Sequence, residues 1–287
     1  MLDVIAAARP DIVLLLDVDW DADGMALAAL ARGLEARGLS FPHALAPRPN
    51  AGRPSGFDLD GDGRTHRARD AMGYGRFTGD GGAALLSRHP LGAVRDLSGV
   101  LWAERADTGD LLPEGSEAVV PLATVGQWIV PVEVEGTRLD LVTLAAGTPV
   151  FDGPEDRNGR RNAAELAFVA ELAAGVAHPV VLGRANVDPA DGEGDRAALR
   201  ALLDHPMLQD PRPRGGGGGG AGHAGDPAFD TAAWEGPGPL RVDYVLPPRD
   251  LAVVDAGVLW PAPGDPFAAT VAAAGAGRLV WVDLALR

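Results

Sequence analysis

Asp58, Asp60 and Asp62 stand at alternate positions, and Gly63 follows the third. Carboxylates spaced this way before a glycine converge where the chain turns sharply, which is the chemistry of a calcium loop. Arg64 offers a backbone carbonyl. The position where a bidentate glutamate closes such loops holds Arg69 instead, and Asp70 follows it. Two readings stand: a structural Ca2+ site drawing on Asp58, Asp60, Asp62, Arg64 and Asp70, or an acidic solvated turn. Asp152, Glu155 and Asp156 form a second acidic group in FDGPEDRNG (151–159). Carboxylates near a helix start are stabilised by its dipole, so helix-start chemistry is the plainer reading and cleft-rim contacts the alternative. The histidines show no ligand spacing, Ser87 has no partnered base, and the absence of cysteine excludes thiolate chemistry.

These groups need elements to hold them. Asp11–Leu16, after Pro10, reads as a buried strand. Asp23 is expected to cap a helix to about Arg37, with Leu27, Leu30 and Leu34 on one face and Gly38 as its stop. Residues 42–81 are rich in Gly, Pro, Asp and Arg and read as a long ordered loop, a length that is usually braced or functional. Ala83–Ser87 is an apolar run, and Gln127–Val134 and Thr137–Thr143 pair around Glu135-Gly136. Asn162 is expected to cap a helix ended by Gly175, and Ala197–Leu203 is a short helix. Val180–Gly183, Arg241–Leu246, Leu251–Trp260 and Leu279–Leu284 read as strands. The hexaglycine Gly215–Gly220 lies in an expected flexible loop over 210–226. The strands beyond it belong to the same sheet system, so one domain over 1–287 is expected.

The chain has 287 residues, and 25 basic against 40 acidic side chains leave it at −15. An acidic surface repels a polyanion, so non-specific nucleic-acid binding is not expected. No apolar run approaches a membrane span, and no signal segment is evident, so membrane partners are excluded and a cytoplasmic location is expected. A truncated start would hide a leader and make the protein secreted or periplasmic.

VVLGRANVDP (180–189) resembles the strand and loop that carry the "GDxN" signature of the endonuclease/exonuclease/phosphatase superfamily. Gly183 and Asn186 match, and Arg184 stands in the acidic position. PDIVLLLDVDWD (10–21) resembles the strand whose glutamate holds the metal, with Asp17 in its place. GGAALLSRHPL (81–91), LDLVTLAAGTPVFDGPEDRNG (139–159), RVDYVL (241–246) and RLVWVDL (278–284) resemble four further strands of the family, in order. FDLDGDGRT (57–65), FDGPEDRNG (151–159) and LLDHP (202–206) are similar to a bacterial, phytase-like subgroup.

The resemblance implies an α/β (α+β) fold: a four-layer sandwich of two packed mixed β-sheets flanked by helices. It also implies a Mg2+-dependent phosphoesterase site, and several of that site's positions are changed here. One histidine position falls on Leu144 or Ala145, and the terminal Asp-His falls on Ala276-Gly277. The family's first strand has no counterpart. Asp17, Asn186 and Asp243 remain. Asp17 is one methylene short of the family's glutamate, and an arginine cannot deprotonate water. A catalytically inactive binding or scaffold protein is therefore expected, with Mg2+ not held in the ancestral site. The alternative is a weak or repurposed metal-dependent phosphoester hydrolase of the phosphodiesterase, phosphatase or nuclease class. Arg184 is expected either to pair with Asp17, Asp243 or both, or to bind an anion bidentately with Arg241. The partner would be an unknown protein or a small anionic ligand.

Overall fold

The central strands are near-continuous apolar runs, and successive residues of β1, β5 and β6 enter different cores. A computed structural model describes residues 1–218 and 222–286. Helix α1 (Leu2–Ala8) leads into β1 (Ile12–Val18), α2 (Met25–Glu35) and β2 (His43–Leu45). Strands β3 (Gly82–Ser87), β4 (Arg95–Asp96), β5 (Trp128–Val134) and β6 (Thr137–Ala145) precede α3 (Arg157–Ala174). Then come β7 (Pro179–Arg184), α4 (Arg196–Leu203), β8 (Ala232–Trp234), β9 (Gly238–Leu240) and β10 (Asp243–Leu246). Strand β11 (Ala252–Leu259), α5 (Ala268–Ala272) and β12 (Leu279–Ala285) complete the order.

One sheet has the order β1-β3-β2 and is antiparallel throughout. The other has the order β10-β7-β6-β5-β4 and is mixed, with β6 and β7 parallel. Ile12, Leu14 and Leu16 of β1 meet Trp128, Val130, Leu139, Leu141, Val180 and Leu182 between the sheets. Val13 and Leu15 face outward against Ile5, Leu30 and Leu34 of α1 and α2. On the far side, Val142, Leu144, Val181 and Leu246 pack on Leu166, Val169, Leu199 and Leu202 of α3 and α4. Helix, sheet, sheet, helix is the α/β layering expected. Strands β11 and β12 form a separate antiparallel pair, as do β8 and β9.

Two helix starts differ from expectation. Asp21, not Asp23, caps α2: its carboxylate accepts the Met25 and Ala26 amides at 2.9 and 2.8 Å. Helix α3 begins at Arg157, ahead of Asn162. Asn162 is buried inside it and donates to Gly147 O and Ala185 O at 2.7 and 2.8 Å. A side chain that can cap a helix serves instead to tie two loops to the helix, because both carbonyls lie beside the buried face. Residues 42–81 are held by Asn50, which donates to Ser98 O and Ala123 O. Of the hexaglycine, Gly219 and Gly220 lie outside the described residues. No helix is long and apolar enough to cross a membrane among the described residues.

Candidate functional site

Strand β7 delivers Arg184 to the end of the sheet, between β6 and β10. Gly183 precedes it at φ 133°, and a Cβ there would lie 1.9 Å from Leu144 O. Only glycine permits that approach of the two parallel strands. Opposite, the β1–β3 register slips between Leu16 and Val18. Asp17 is the residue in the slip, at φ 58°, an uncommon conformation outside glycine.

The two strands thus face a carboxylate and a guanidinium toward each other. Arg184 donates through Nη1 to Asp17 Oδ2 at 2.9 Å and through Nε to Asp243 Oδ1 at 2.8 Å. The Asp17 side chain is 74% exposed, whereas Arg184 and Asp243 are 16% and 12% exposed. Burial pulls the Arg184 guanidinium down, and Asp243 and Asp17 outweigh it, leaving it above its ordinary value. Burial pushes the Asp243 carboxyl above the usual carboxylate range, against the pull of Arg184 and Thr231. Asp243 Oδ2 is buried with no hydrogen-bond partner among the described residues.

Asn186, at φ 58°, donates to Ala146 O at 2.8 Å, so it braces the loop after β6. Arg241 is in the same neighbourhood of sequence but is committed elsewhere. It grips both oxygens of Asp210 at 2.9 and 2.5 Å and lies 4.8 Å from the Tyr244 ring. Its own desolvation lowers its pKa, and Asp210, together with Tyr244 and Asp188, more than restores it.

Sequence reading missed two members of this site. Trp234 lies 5.9 Å beneath the Arg184 guanidinium. Thr231 Oγ1 accepts the Val242 and Asp243 amides, both at 2.9 Å, and so fixes the start of β10. Both residues sit in or beside a hairpin whose strands are too short to show a period. Gly277 is one of the two residues on which the family's terminal Asp-His is expected to fall, and a Cβ there would lie 2.7 Å from Arg184 Nη2. The guanidinium occupies the room that a side chain at 277 would use.

The acidic loop lies elsewhere. Asp58, Asp60 and Asp70 bring carboxylate oxygens within 4.8 Å of one another. Asp70 is buried and accepts the Leu59 and Arg67 amides at 2.9 and 2.8 Å. Asp58 accepts the Gly61 and Gly63 amides, which curl the loop around it. Asp62 is outside that group, its carboxylate taking the Arg64 amide at 2.9 Å. Asp58 and Asp60 border a cavity of roughly 600 Å³ that Asp110, Asp152, Glu155 and Arg157 also line. Two acidic motifs far apart in sequence therefore share one wall. Asp152 accepts the Asn158 amide in the first turn of α3, which is the helix-start role expected for it.

A profile of the endonuclease/exonuclease/phosphatase family matches residues 1–276. The chain belongs to that family. No curated protein sequence matches it. Its fold is similar to that of an endonuclease/exonuclease/phosphatase from Beutenbergia cavernae, with TM-score 0.63 and 20% identity over 99% of this chain. The chain spans 65% of the length of that protein. It is also similar to a family protein from Leptotrichia buccalis (TM-score 0.58, 12% identity), covering 99% of this chain and 91% of the other. A 3'-5' exonuclease, NExo from Neisseria meningitidis, is similar at TM-score 0.54 and 18% identity, covering 99% and 93%. At these identities the likeness is one of fold.

Proposed function

We propose that this family member is a catalytically silent one that acts as a binding or scaffold protein. One observation carries the reading: a single guanidinium is bonded at once to Asp17 and Asp243. The family implies a Mg2+ site there. Mg2+ needs several oxygen ligands in near-octahedral array. Here the two carboxylates that the resemblance would assign to such a site are already paired to a cation, and the position between them is filled. The residues present do not fit the metal, and no hydrolytic step runs through it. Arg184 is also no base, so nothing replaces the activated water.

Hydrolysis of bis-p-nitrophenyl phosphate and p-nitrophenyl phosphate, with Mg2+, Mn2+ and Ca2+ in turn, tests this. Rates at background are expected. Turnover that disappears in Asp243→Ala would establish the second reading, a rebuilt phosphoester hydrolase. The buried, unpartnered Asp243 Oδ2 is the feature that favours that second reading.

The ligand side of the proposal is a partner protein or a small anion, the latter meeting Arg184 beside Trp234. The acidic loop adds a structural Ca2+ proposal, resting on the convergence of Asp58, Asp60 and Asp70. Hard oxygen donors of this kind suit Ca2+, whose role there is to brace the long loop.

A further inference from the structure

Three guanidiniums gather at one aromatic ring. The Cζ atoms of Arg212, Arg214 and Arg241 lie 4.5, 4.7 and 5.7 Å from the centroid of Phe229. A phenyl ring attracts a cation through its electron-rich face but leaves the charge in place. Balancing that charge falls to carboxylates, and they are shared unequally. Asp210 takes the buried Arg241 through both oxygens. Asp226 pairs with Arg214 Nη2 at 3.0 Å. Among the described residues no carboxylate is bonded to the Arg212 guanidinium, and Asp210 takes only its backbone amide, at 2.9 Å. The Ala228 amide, then Arg214 and Arg212, hold the Asp226 carboxyl below its ordinary value, so one acid serves two cations. Asp230, next to Phe229, is buried and turns Oδ2 toward Gly218.

The backbone fixes this arrangement. Val258 of β11 donates its amide to Arg214 O at 2.9 Å, and Gly215 donates to Ala228 O at 2.8 Å. Phe229 ends a 3-10 turn (Pro227–Phe229) whose start Asp226 caps through the Ala228 amide at 3.0 Å. Pro213, buried between the two outer arginines, locks its own φ. The guanidiniums of Arg212 and Arg214 are no farther apart than the sum of their distances to the ring, and both residues are exposed.

We infer that Arg212 and Arg214 form a site for a small phosphate monoester, whose phosphate oxygens accept hydrogen bonds from both guanidiniums. Planar guanidinium forks match phosphate oxygens in pairs. Arg212 supplies a charge that no bonded acid balances. Arg214 has donors left over, since a guanidinium carries five N–H groups and Asp226 is met by Nη2. A monoanionic carboxylate would only duplicate Asp226, whereas a phosphate dianion brings a second charge and a third oxygen. The Phe229 ring holds both side chains in place beforehand, so less rotamer freedom is lost on binding. The site uses no residue of the Arg184, Asp17 and Asp243 cluster and stands whether or not that cluster is silent.

Calorimetric titration with inorganic phosphate tests it, at constant ionic strength and about pH 8, where phosphate is largely dianionic. Saturable heat and a rise in Tm are expected with phosphate, and neither with acetate. Arg212→Lys keeps the charge but loses the fork, and is expected to raise Kd about tenfold, the worth of one charge-assisted hydrogen bond. Arg212→Ala removes an exposed side chain, so circular dichroism is expected to stay native while the heat is lost. Heat that survives in Arg212→Ala and in Arg214→Ala overturns the site, as does acetate binding as well as phosphate. Vesicles of phosphatidylcholine and phosphatidic acid separate the two sources of a phosphate group. The chain at −15 is expected to stay in solution, repelled by the anionic surface. Sedimentation with the vesicles that Arg212→Ala abolishes would assign the forks to a lipid headgroup and overturn the small ligand.

Discussion

The cleft end of β7 and the loop over 58–70 both gather aspartates, and they treat the charge in opposite ways. In the cleft, Arg184 is bonded to Asp17 and Asp243, so the cation that balances them is part of the chain. In the loop, Asp58, Asp60 and Asp70 are met by backbone amides, and among the described residues no cationic side chain bonds them. Amides orient carboxylates without neutralising them. The comparison teaches that acidic residues brought together in a fold remain available to a metal only while no side chain has already balanced them.

The sharpest way to break this contrast is Arg184→Ala. It strands Asp243 as a buried, unpaired carboxylate, and loss of a buried partner costs about 3–5 kcal/mol. Urea unfolding at neutral pH measures it. In a double-mutant cycle with Asp17→Ala, the Arg184–Asp17 coupling is expected below about 1 kcal/mol, since Asp17 is 74% exposed and screened by water. A coupling as large as that to Asp243 would show that both carboxylates are held alike.

Ca2+ is expected to act on the loop alone. At ten to a hundred times its Kd it adds about 1–3 kcal/mol of stability, read as a rise in Tm that Asp58→Asn abolishes and Arg184→Ala does not. Heat of binding that survives Asp58→Asn would move the ion elsewhere.

Gly277→Ala is expected to cost about 1 kcal/mol, because the new methyl displaces a guanidinium held by two bonds. In the Arg184→Ala background that cost should vanish.

The smallest effect is with acid. Asp80 is held below 3.8 by the Arg76 side chain, and Asp21 and Asp191 are held down by backbone amides. A carboxyl whose folded pKa is depressed stabilises above its unfolded value and loses that contribution as pH falls through the folded one. Tm should therefore decline below about pH 3.8, and Asp21→Asn should make the decline shallower. Glu165 and Asp243 are raised by burial, so their contribution runs the other way and is lost as pH rises.

Much of the fold was legible because strands covered on both faces read as short continuous apolar runs, as at 11–16, 180–183 and 279–284. Helix α1 was missed. Its seven residues (Leu2–Ala8) are too few for a helical stripe to show, and docking on α2, α5 and β12 stabilises it. The cap of α2 was placed two residues late because Asp21 and Asp23 are equivalent in type, and only the turn decides which one reaches the free amides. At the site, Arg184 and its two partners were legible from the family resemblance. The commitment of Arg241 to Asp210 was not, since Asp210 is 31 residues distant and lies in a segment without period.

The contact between Gly277 and the Arg184 guanidinium ties two distant positions together. An acid placed at 184 alone would set a third carboxylate against Asp17 and Asp243. A bulky residue placed at 277 alone would drive the arginine from its bonds. Each position therefore constrains the other, and substitutions there are tolerated in concert more readily than singly.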